Sequence, residues 1–283
     1  MLSRRRLARA AAAAGLCLST AAAAWAQDGR LQQYLNLARA TQAQPVTSAE
    51  IEAALLSADG VEDLARLFEQ ALAEKVTVAG APVTPELGGE ATLEHGVIRF
   101  VSYPDPLHAL VRRMLELRDQ PRALSRLASA SAEGRQVLEK TGGLHALLYQ
   151  MTTREPRDAD RRALERVMDA AVALHFKTWN VTPETQRAAI LRHDWTGRYV
   201  GFWHIHPPQP GAGGYGPGLE PSHEDMAIAV EKGQMLTVVF QPDGFDAWDL
   251  APLAAAGRPD LSKARVVRHR SPVWEERFRD GRR

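Results

Sequence analysis

Two short polar segments in the C-terminal half of the chain carry residue types that hold metal ions. The first is His204-Ile205-His206-Pro207, and the second runs from Ser222 to Asp225. Histidines two positions apart on a β-strand point to the same face, with backbones about 7 Å apart, so both imidazoles can converge on one ion. A carboxylate from Asp225 would complete a three-ligand site with one position left for water. A metal ion held in this way lowers the pKa of water and polarises a carbonyl, which is hydrolase chemistry.

The elements predicted around these segments have the order that such a site requires. Tyr199–Ile205 is rich in aromatic and β-branched residues and predicts a strand, which Pro207 ends. Ser222 is a favourable N-cap with Asp225 at the capping-box position, so a helix should begin there and end at Gly233. A β-hairpin is predicted to follow, with strands at Met235–Gln241 and Phe245–Leu250.

A segment that begins GFWHIHPP and ends PSHED resembles the signature of the JAMM metalloproteases, also called the MPN+ or JAB-domain family. The family pattern is His-x-His-Pro, a variable loop and Ser-x-x-Asp, with a glutamate farther upstream. The resemblance covers about residues 139–267 and implies one Zn²⁺ per chain. It assigns the zinc to His204, His206 and Asp225, and it makes Ser222 the residue that stabilises the oxyanion.

The same resemblance requires an upstream glutamate that handles protons. In the family this residue precedes the first strand in a Glu-x-x-Gly-Leu-Leu context. Glu139 in the segment EKTGGL is the closest match, and Leu144–Thr152 is then the expected strand. We therefore expect Glu139 to act as the general base, with Glu155 and Glu165 as fallbacks.

Periodicity and composition divide the chain into four segments. We predict a signal peptide at 1–26, a mainly helical accessory region at 27–135, a JAMM-like domain at 136–270 and a basic tail at 271–283. Further strands are predicted at Val167–Trp179 and Ala188–His193. The expected fold class is α/β (α+β), and the resemblance implies a cytidine-deaminase-like mixed β-sheet flanked by helices.

The N-terminus has the parts of an export signal. Arg4–Arg6 form a basic region, Ala10–Ala24 is apolar, and Ala24-Trp25-Ala26 is a small-x-small cleavage site. We predict that the mature chain starts at Gln27 and is periplasmic or secreted. Ser3–Leu7 also resembles a twin-arginine signal, so both export routes stay open. A membrane anchor is the alternative, which the short apolar run and the cleavage site disfavour.

Composition excludes several other classes. The formal net charge of +1 gives no support for nucleic-acid binding. Cys17 is the only cysteine and lies in the predicted signal, so the mature chain has neither a disulfide nor a thiolate metal site. This excludes a zinc deaminase of the cysteine-dependent type. No later run is apolar enough to span a membrane.

These patterns together predict an exported zinc metallopeptidase or isopeptidase. Its partner would be a peptide or protein substrate, and an exported chain would meet a secreted protein, a peptide or a cell-wall cross-link. Two alternatives stay open. A non-catalytic JAB-domain scaffold should lack the glutamate or fail to retain zinc, and a metal-storage protein should be richer in histidine. No pattern indicates an oligomeric state.

Overall fold

The chain has a mixed α/β fold, as predicted, in which helices cover both faces of a six-stranded sheet. The structure is a computed structural model that describes residues 29–40, 43–78, 81–175, 183–207, 210–211, 214–215, 218–233 and 235–278. The predicted signal peptide, residues 1–26, lies outside the described residues. Among the helices described, none combines the length and the apolar character that crossing a lipid bilayer demands.

The described part of the chain contains twelve α-helices, ten strands and one short 3-10 helix at Leu261–Lys263. In chain order the helices are α1 (29–40), α2 (Ser48–Leu55), α3 (Ala58–Ala73), α4 (Pro106–Glu116), α5 (Pro121–Ala130), α6 (Ala132–Lys140), α7 (Leu144–Thr153), α8 (Asp158–His175), α9 (Pro183–Ile190), α10 (His223–Lys232), α11 (Ala251–Ala256) and α12 (Pro272–Phe278). The strands are β1 (Val76–Val78), β2 (Ala81–Val83), β3 (Gly88–Glu94), β4 (Val97–Ser102), β5 (Arg198–His206), β6 (Pro210–Gly211), β7 (Gly214–Tyr215), β8 (Met235–Gln241), β9 (Gly244–Asp249) and β10 (Arg265–Arg270).

The main sheet has the strand order β10-β9-β8-β5-β3-β4. Neighbouring strands are antiparallel except β5 and β8, which run parallel. Parallel neighbours need a crossover connection, and here the connection includes α10. β5 therefore lies in the middle of the sheet, between β3 and β8, with α10 following it along the chain.

The two faces of the sheet are covered by different helices. On one face, α2, α3 and α12 pack on the main core, which includes Trp203 and Ile205 of β5. On the opposite face, α10 and α11 pack over β8 and β9, where Met235 and Val239 contact this second layer. The side chains of β5 that point to this second face are therefore bordered by α10.

A buried carboxylate fixes α1 and α9 to this second face. Glu90 of β3 is fully buried, and its Oε1 accepts hydrogen bonds of 2.9 Å from the Tyr34 hydroxyl of α1 and the Gln186 amide of α9. Burial raises the pKa of the Glu90 carboxyl above its ordinary 4.5, although these hydrogen bonds oppose the shift. Glu90 pairs with Phe202, so it lies on the same face as His204, two residues farther along β5.

A helical region, α4 to α8, lies between β4 and β5 and has a core of its own. Three segments predicted as strands are helical: Leu144–Thr152 lies in α7, the described part of Val167–Trp179 lies in α8, and Ala188–His193 overlaps the end of α9. The buried residues of α7 are Leu144, Leu148 and Met151, a spacing that places them on one helix face. Short apolar runs fit a buried strand and a buried helix face equally well, which is why these predictions were wrong.

The sheet also corrects the predicted boundary at residue 136. β3 and β4 come from the segment 27–135, yet β3 pairs directly with β5. The turn between β3 and β4 consists of His95 and Gly96, which have φ angles of 51° and 83°. The main sheet thus begins before the helical region, and that region is an insertion into it.

The segment predicted as a basic tail, 271–283, begins with a packed helix. Trp274 and Phe278 of α12 are buried in the main core, where both rings contact Phe68. Arg277 pairs with Glu62 and Glu69 of α3. Residues 272–278 are therefore part of the folded core, and the basic side chain of Arg277 is held in ion pairs.

Candidate metal centre

β5 directs His204 and His206 to the second face of the sheet, as the strand prediction requires. The alternating residues Trp203 and Ile205 are fully buried in the core on the other face. The two imidazoles are also buried, with 2% and 7% of their residue surfaces exposed. Their Nε2 atoms lie 2.8 Å apart, so both rings present the same nitrogen to one point.

The start of α10 brings Asp225 to that point. Ser222 is the N-cap, and its Oγ accepts a hydrogen bond from the Asp225 N–H at 3.2 Å. The Asp225 carboxylate in turn accepts the Ser222 N–H at 2.6 Å, which completes the predicted capping box. The neighbouring residues His223 and Glu224 are exposed. The capping box thus fixes the one carboxylate of this turn that faces the histidines.

The three side chains form a group that could hold a metal ion. Asp225 Oδ1 lies 3.3 Å from His204 Nε2, and Asp225 Oδ2 lies 3.4 Å from His206 Nε2. Ligand atoms around a tetrahedral zinc, each about 2.0–2.1 Å from the ion, are about 3.3 Å from one another. The carboxylate distances match that edge, whereas the Nε2 separation of 2.8 Å is shorter than it, so the two rings would have to move apart slightly around a bound ion.

A backbone carbonyl orients His206. Its Nδ1 lies 2.6 Å from the Leu219 oxygen, and because a carbonyl only accepts, the Nδ1–H donates. The Nε2 lone pair is then available to a metal. Metal-binding histidines commonly have this kind of outer hydrogen bond, which fixes the tautomer.

The electrostatics of the group favour a bound cation. Burial would raise the pKa of the Asp225 carboxyl, but the hydrogen bonds with both imidazoles hold it far below its usual range. Burial lowers the pKa of His204. For His206, burial acts in the same direction, but Asp225 and the negative charge of Glu86 raise its pKa. The site therefore combines a permanent anion with one imidazole, His204, that burial keeps neutral, and a second, His206, whose extra proton a bound cation would replace.

The structure does not bring the expected general base to this group. Glu139 is exposed near the end of α6, in the helical insertion, where α6 packs mainly on α4, α5 and α7. The fallbacks Glu155 and Glu165 are exposed in the same insertion. The other predicted site residues, Ser222 among them, are assembled as expected.

A different glutamate lies beside the histidines. Glu86 precedes β3, and the Ile205 N–H donates to the Leu87 oxygen at 2.8 Å, so the pairing of β3 with β5 extends to this point. Gly88 is opposite His204, and the same register places Glu86 opposite His206. Glu86 is half-buried. Its charge acts on His206, which agrees with this placement.

The sequence carries a signal for Glu86 that the prediction of Glu139 passed over. Glu86-Leu87-Gly88-Gly89 has the same Glu-x-x-Gly spacing that led to Glu139, and it also precedes a strand. It was missed because the segment before residue 136 was assigned to an accessory region. Only the pairing of β3 with β5 shows which of the two glutamates faces the metal group.

Comparison of the chain with known proteins yields no match. No protein-family model, no curated protein and no solved structure matches it.

Proposed function

We propose that the protein is a zinc-dependent peptidase or isopeptidase of the JAMM type. The observation that carries the proposal is the convergence of His204, His206 and Asp225 on one point, with Glu86 beside them. Two imidazoles and one carboxylate are a ligand set typical of catalytic zinc sites, in which a fourth position stays open. The half-buried Asp225 charge and the outer hydrogen bond on His206 both fit this ion.

When bound, zinc supplies a Lewis acid that lowers the pKa of water and polarises a carbonyl. The residues of the chain perform the remaining steps. The Glu86 carboxylate accepts a proton from the attacking water and passes it to the leaving amine. Ser222 stands at the N-terminus of α10, and its hydroxyl donates a hydrogen bond to the oxyanion while its oxygen still accepts the Asp225 N–H. The bond broken is the amide C–N bond of a peptide or protein.

The predicted export signal indicates the compartment in which the enzyme would act. A periplasmic or secreted enzyme would act on a secreted protein, a peptide or a cell-wall cross-link. The mature chain has no cysteine, so its ligand set of histidine and aspartate withstands an oxidising compartment.

The roles of the two glutamates provide the test. We expect Glu86→Gln to retain zinc and to lose about 10²- to 10⁴-fold in the rate of amide hydrolysis, the usual contribution of a general base. Glu139→Gln is the matched control and should cleave at the wild-type rate. The measurement is cleavage of a mixed-sequence peptide library followed by mass spectrometry, with the zinc content of each protein measured in parallel.

Three results would contradict the proposal. A His206→Ala variant with the same zinc content as wild type would refute the assignment of the metal site. A zinc-loaded wild type that cleaves no member of the library would favour the non-catalytic scaffold. Full activity in Glu86→Gln together with loss in Glu139→Gln would restore the base that the sequence first indicated.

A further inference from the structure

A buried hydroxyl lies directly beside the metal centre. Thr237 of β8 pairs with His204 of β5 in the parallel ladder, so the two side chains stand on the same face of the sheet. Thr237 is fully buried. The residues on either side of it on this face, Met235 and Val239, are apolar and pack under α10 and α11. Thr237 is thus a polar residue between two apolar residues on this face of β8.

The Thr237 hydroxyl has no hydrogen-bond partner among the described residues. Buried polar groups are nearly always satisfied by protein or by ordered water, so an orphaned hydroxyl next to a metal ligand calls for a reason. Two donor side chains flank Thr237 in the register of the sheet. One is the imidazole of His204, and the other is the Nε1–H of Trp248, which lies opposite Thr237 on β9 and also has no partner among the described residues.

The geometry favours His204. Its Nε2 faces His206 and Asp225, so its Nδ1 lies on the other side of the ring. Adjacent strands are about 4.8 Å apart, and the Thr237 hydroxyl makes no direct hydrogen bond to the described residues, so one bridging water would join it to that nitrogen. On its other side His204 is paired with Gly88, which has no side chain to offer. Thr237 is therefore the neighbour of His204 in the sheet that can supply a side-chain acceptor.

We propose that Thr237 is a positioning residue for the metal centre, and this rests on the zinc site proposed above. The Nδ1–H of His204 donates to one buried water, this water donates to the Thr237 hydroxyl, and the chain of hydrogen bonds keeps the Nε2 lone pair directed at the metal. It does for His204 what the Leu219 carbonyl does for His206.

The test removes the hydroxyl without changing the shape of the side chain. We expect Thr237→Val to bind zinc about 10- to 100-fold more weakly than wild type, the usual effect of losing an outer-shell hydrogen bond. Thr237→Ser should restore affinity to within a few-fold. Affinity is measured by competition with a chromophoric chelator, and the visible spectrum of the Co²⁺ form reports the ligand geometry. Thr92→Val, at another buried threonine of the sheet, is the matched control.

The outcomes separate this proposal from the metal site itself. A wild type that binds neither zinc nor cobalt overturns both. Wild-type affinity and an unchanged cobalt spectrum in Thr237→Val overturn the role of Thr237 alone, and a loss of stability there without a loss of affinity would assign the hydroxyl to Trp248. Weak binding in Thr237→Ser as well as in Thr237→Val would trace the effect to packing and would also overturn it.

Discussion

His206 uses each of its ring nitrogens for a different purpose. Nδ1 donates to the Leu219 oxygen, and Nε2 points at Asp225 and His204. Because a neutral imidazole has only one N–H, the first contact leaves the second nitrogen with a free lone pair whenever the ring is neutral. Backbone structure therefore sets the metal-binding tautomer of the neutral ring, and an ion that binds here would displace the proton that Asp225 and Glu86 favour on His206.

Asp225 also has two tasks, since it closes the capping box of α10 and belongs to the ligand group. Asparagine can keep the first task through its amide oxygen, but it lacks the charge needed for the second. We expect Asp225→Asn to lower zinc affinity more than about tenfold, because the loss of even an outer-shell hydrogen bond to a ligand commonly lowers metal affinity that much. Its metal-free stability at neutral pH should also fall, because the attraction of the Asp225 charge to both imidazoles is lost. Asp225→Ala should lose the same affinity and about 1 kcal/mol more, the usual value of a cap.

Zinc competition and chemical denaturation of the metal-free proteins measure these two effects separately. Equal metal-free stabilities for Asp225→Asn and Asp225→Ala would show that the capping contact contributes nothing. Wild-type zinc affinity in either variant would remove Asp225 from the ligand set.

Local spacing explains which site residues the sequence could reveal. His204, His206, Ser222 and Asp225 lie in two short segments whose strand and helix geometry follows from the sequence, and the structure assembles them as predicted. Glu86 reaches the site through the register of two strands that are far apart in the chain. The Glu-x-x-Gly spacing fits both Glu86 and Glu139, and only the pairing of β3 with β5 distinguishes them.

At the scale of elements, β5, α10 and the hairpin β8–β9 were predictable because each has its own signals: a β-branched run, an N-cap, or a Pro-Asp-Gly turn. The helices α7 and α8 were not, because their apolar runs are ambiguous until a partner is known. In the insertion those partners are other helices, as the separate core shows. Tertiary packing thus decided what periodicity left open.

The contact of Glu90 with α1 and α9 makes these elements sensitive to pH. Because the pKa of Glu90 is higher in the folded chain than in the unfolded one, the folded state binds more protons between the two values. The free energy of unfolding therefore falls as pH rises from 4.5 through the raised pKa. Glu90→Gln keeps an oxygen for Tyr34 and Gln186 but cannot ionise.

We expect Glu90→Gln to remove this part of the pH dependence and to be at least as stable as wild type at neutral pH. Denaturation midpoints from mildly acidic to mildly alkaline pH check the expectation, and Glu139→Gln, an exposed position, serves as the control. A variant whose stability falls with pH as steeply as that of wild type would show that Glu90 is not the group responsible.

At the scale of the whole molecule, the C-terminal helix closes the main core. Trp274 stacks near Phe68 and Phe240 and is 3% exposed, whereas Val273, its neighbour on α12, is 74% exposed. We expect Trp274→Ala to lower the free energy of unfolding by about 3–5 kcal/mol, the usual loss for a large buried aromatic ring. Val273→Ala should stay within about 0.5 kcal/mol of wild type.

Urea denaturation of both variants measures this difference. Equal stabilities for Trp274→Ala and Val273→Ala would mean that residues 272–278 are the dispensable tail that composition alone indicated.

The position of the insertion also sets an order of assembly. β3 forms its hairpin with β4 locally, but it meets β5 only after the chain of α4 to α8 has been made, and such distant pairings form slowly. The metal ligands all lie on β5 and α10, on the late side of that gap, while Glu86 lies on the early side. Under the proposed mechanism, the three ligands can gather within one stretch, residues 204–225, whereas the proton acceptor joins them only when β3 has paired with β5 across the insertion.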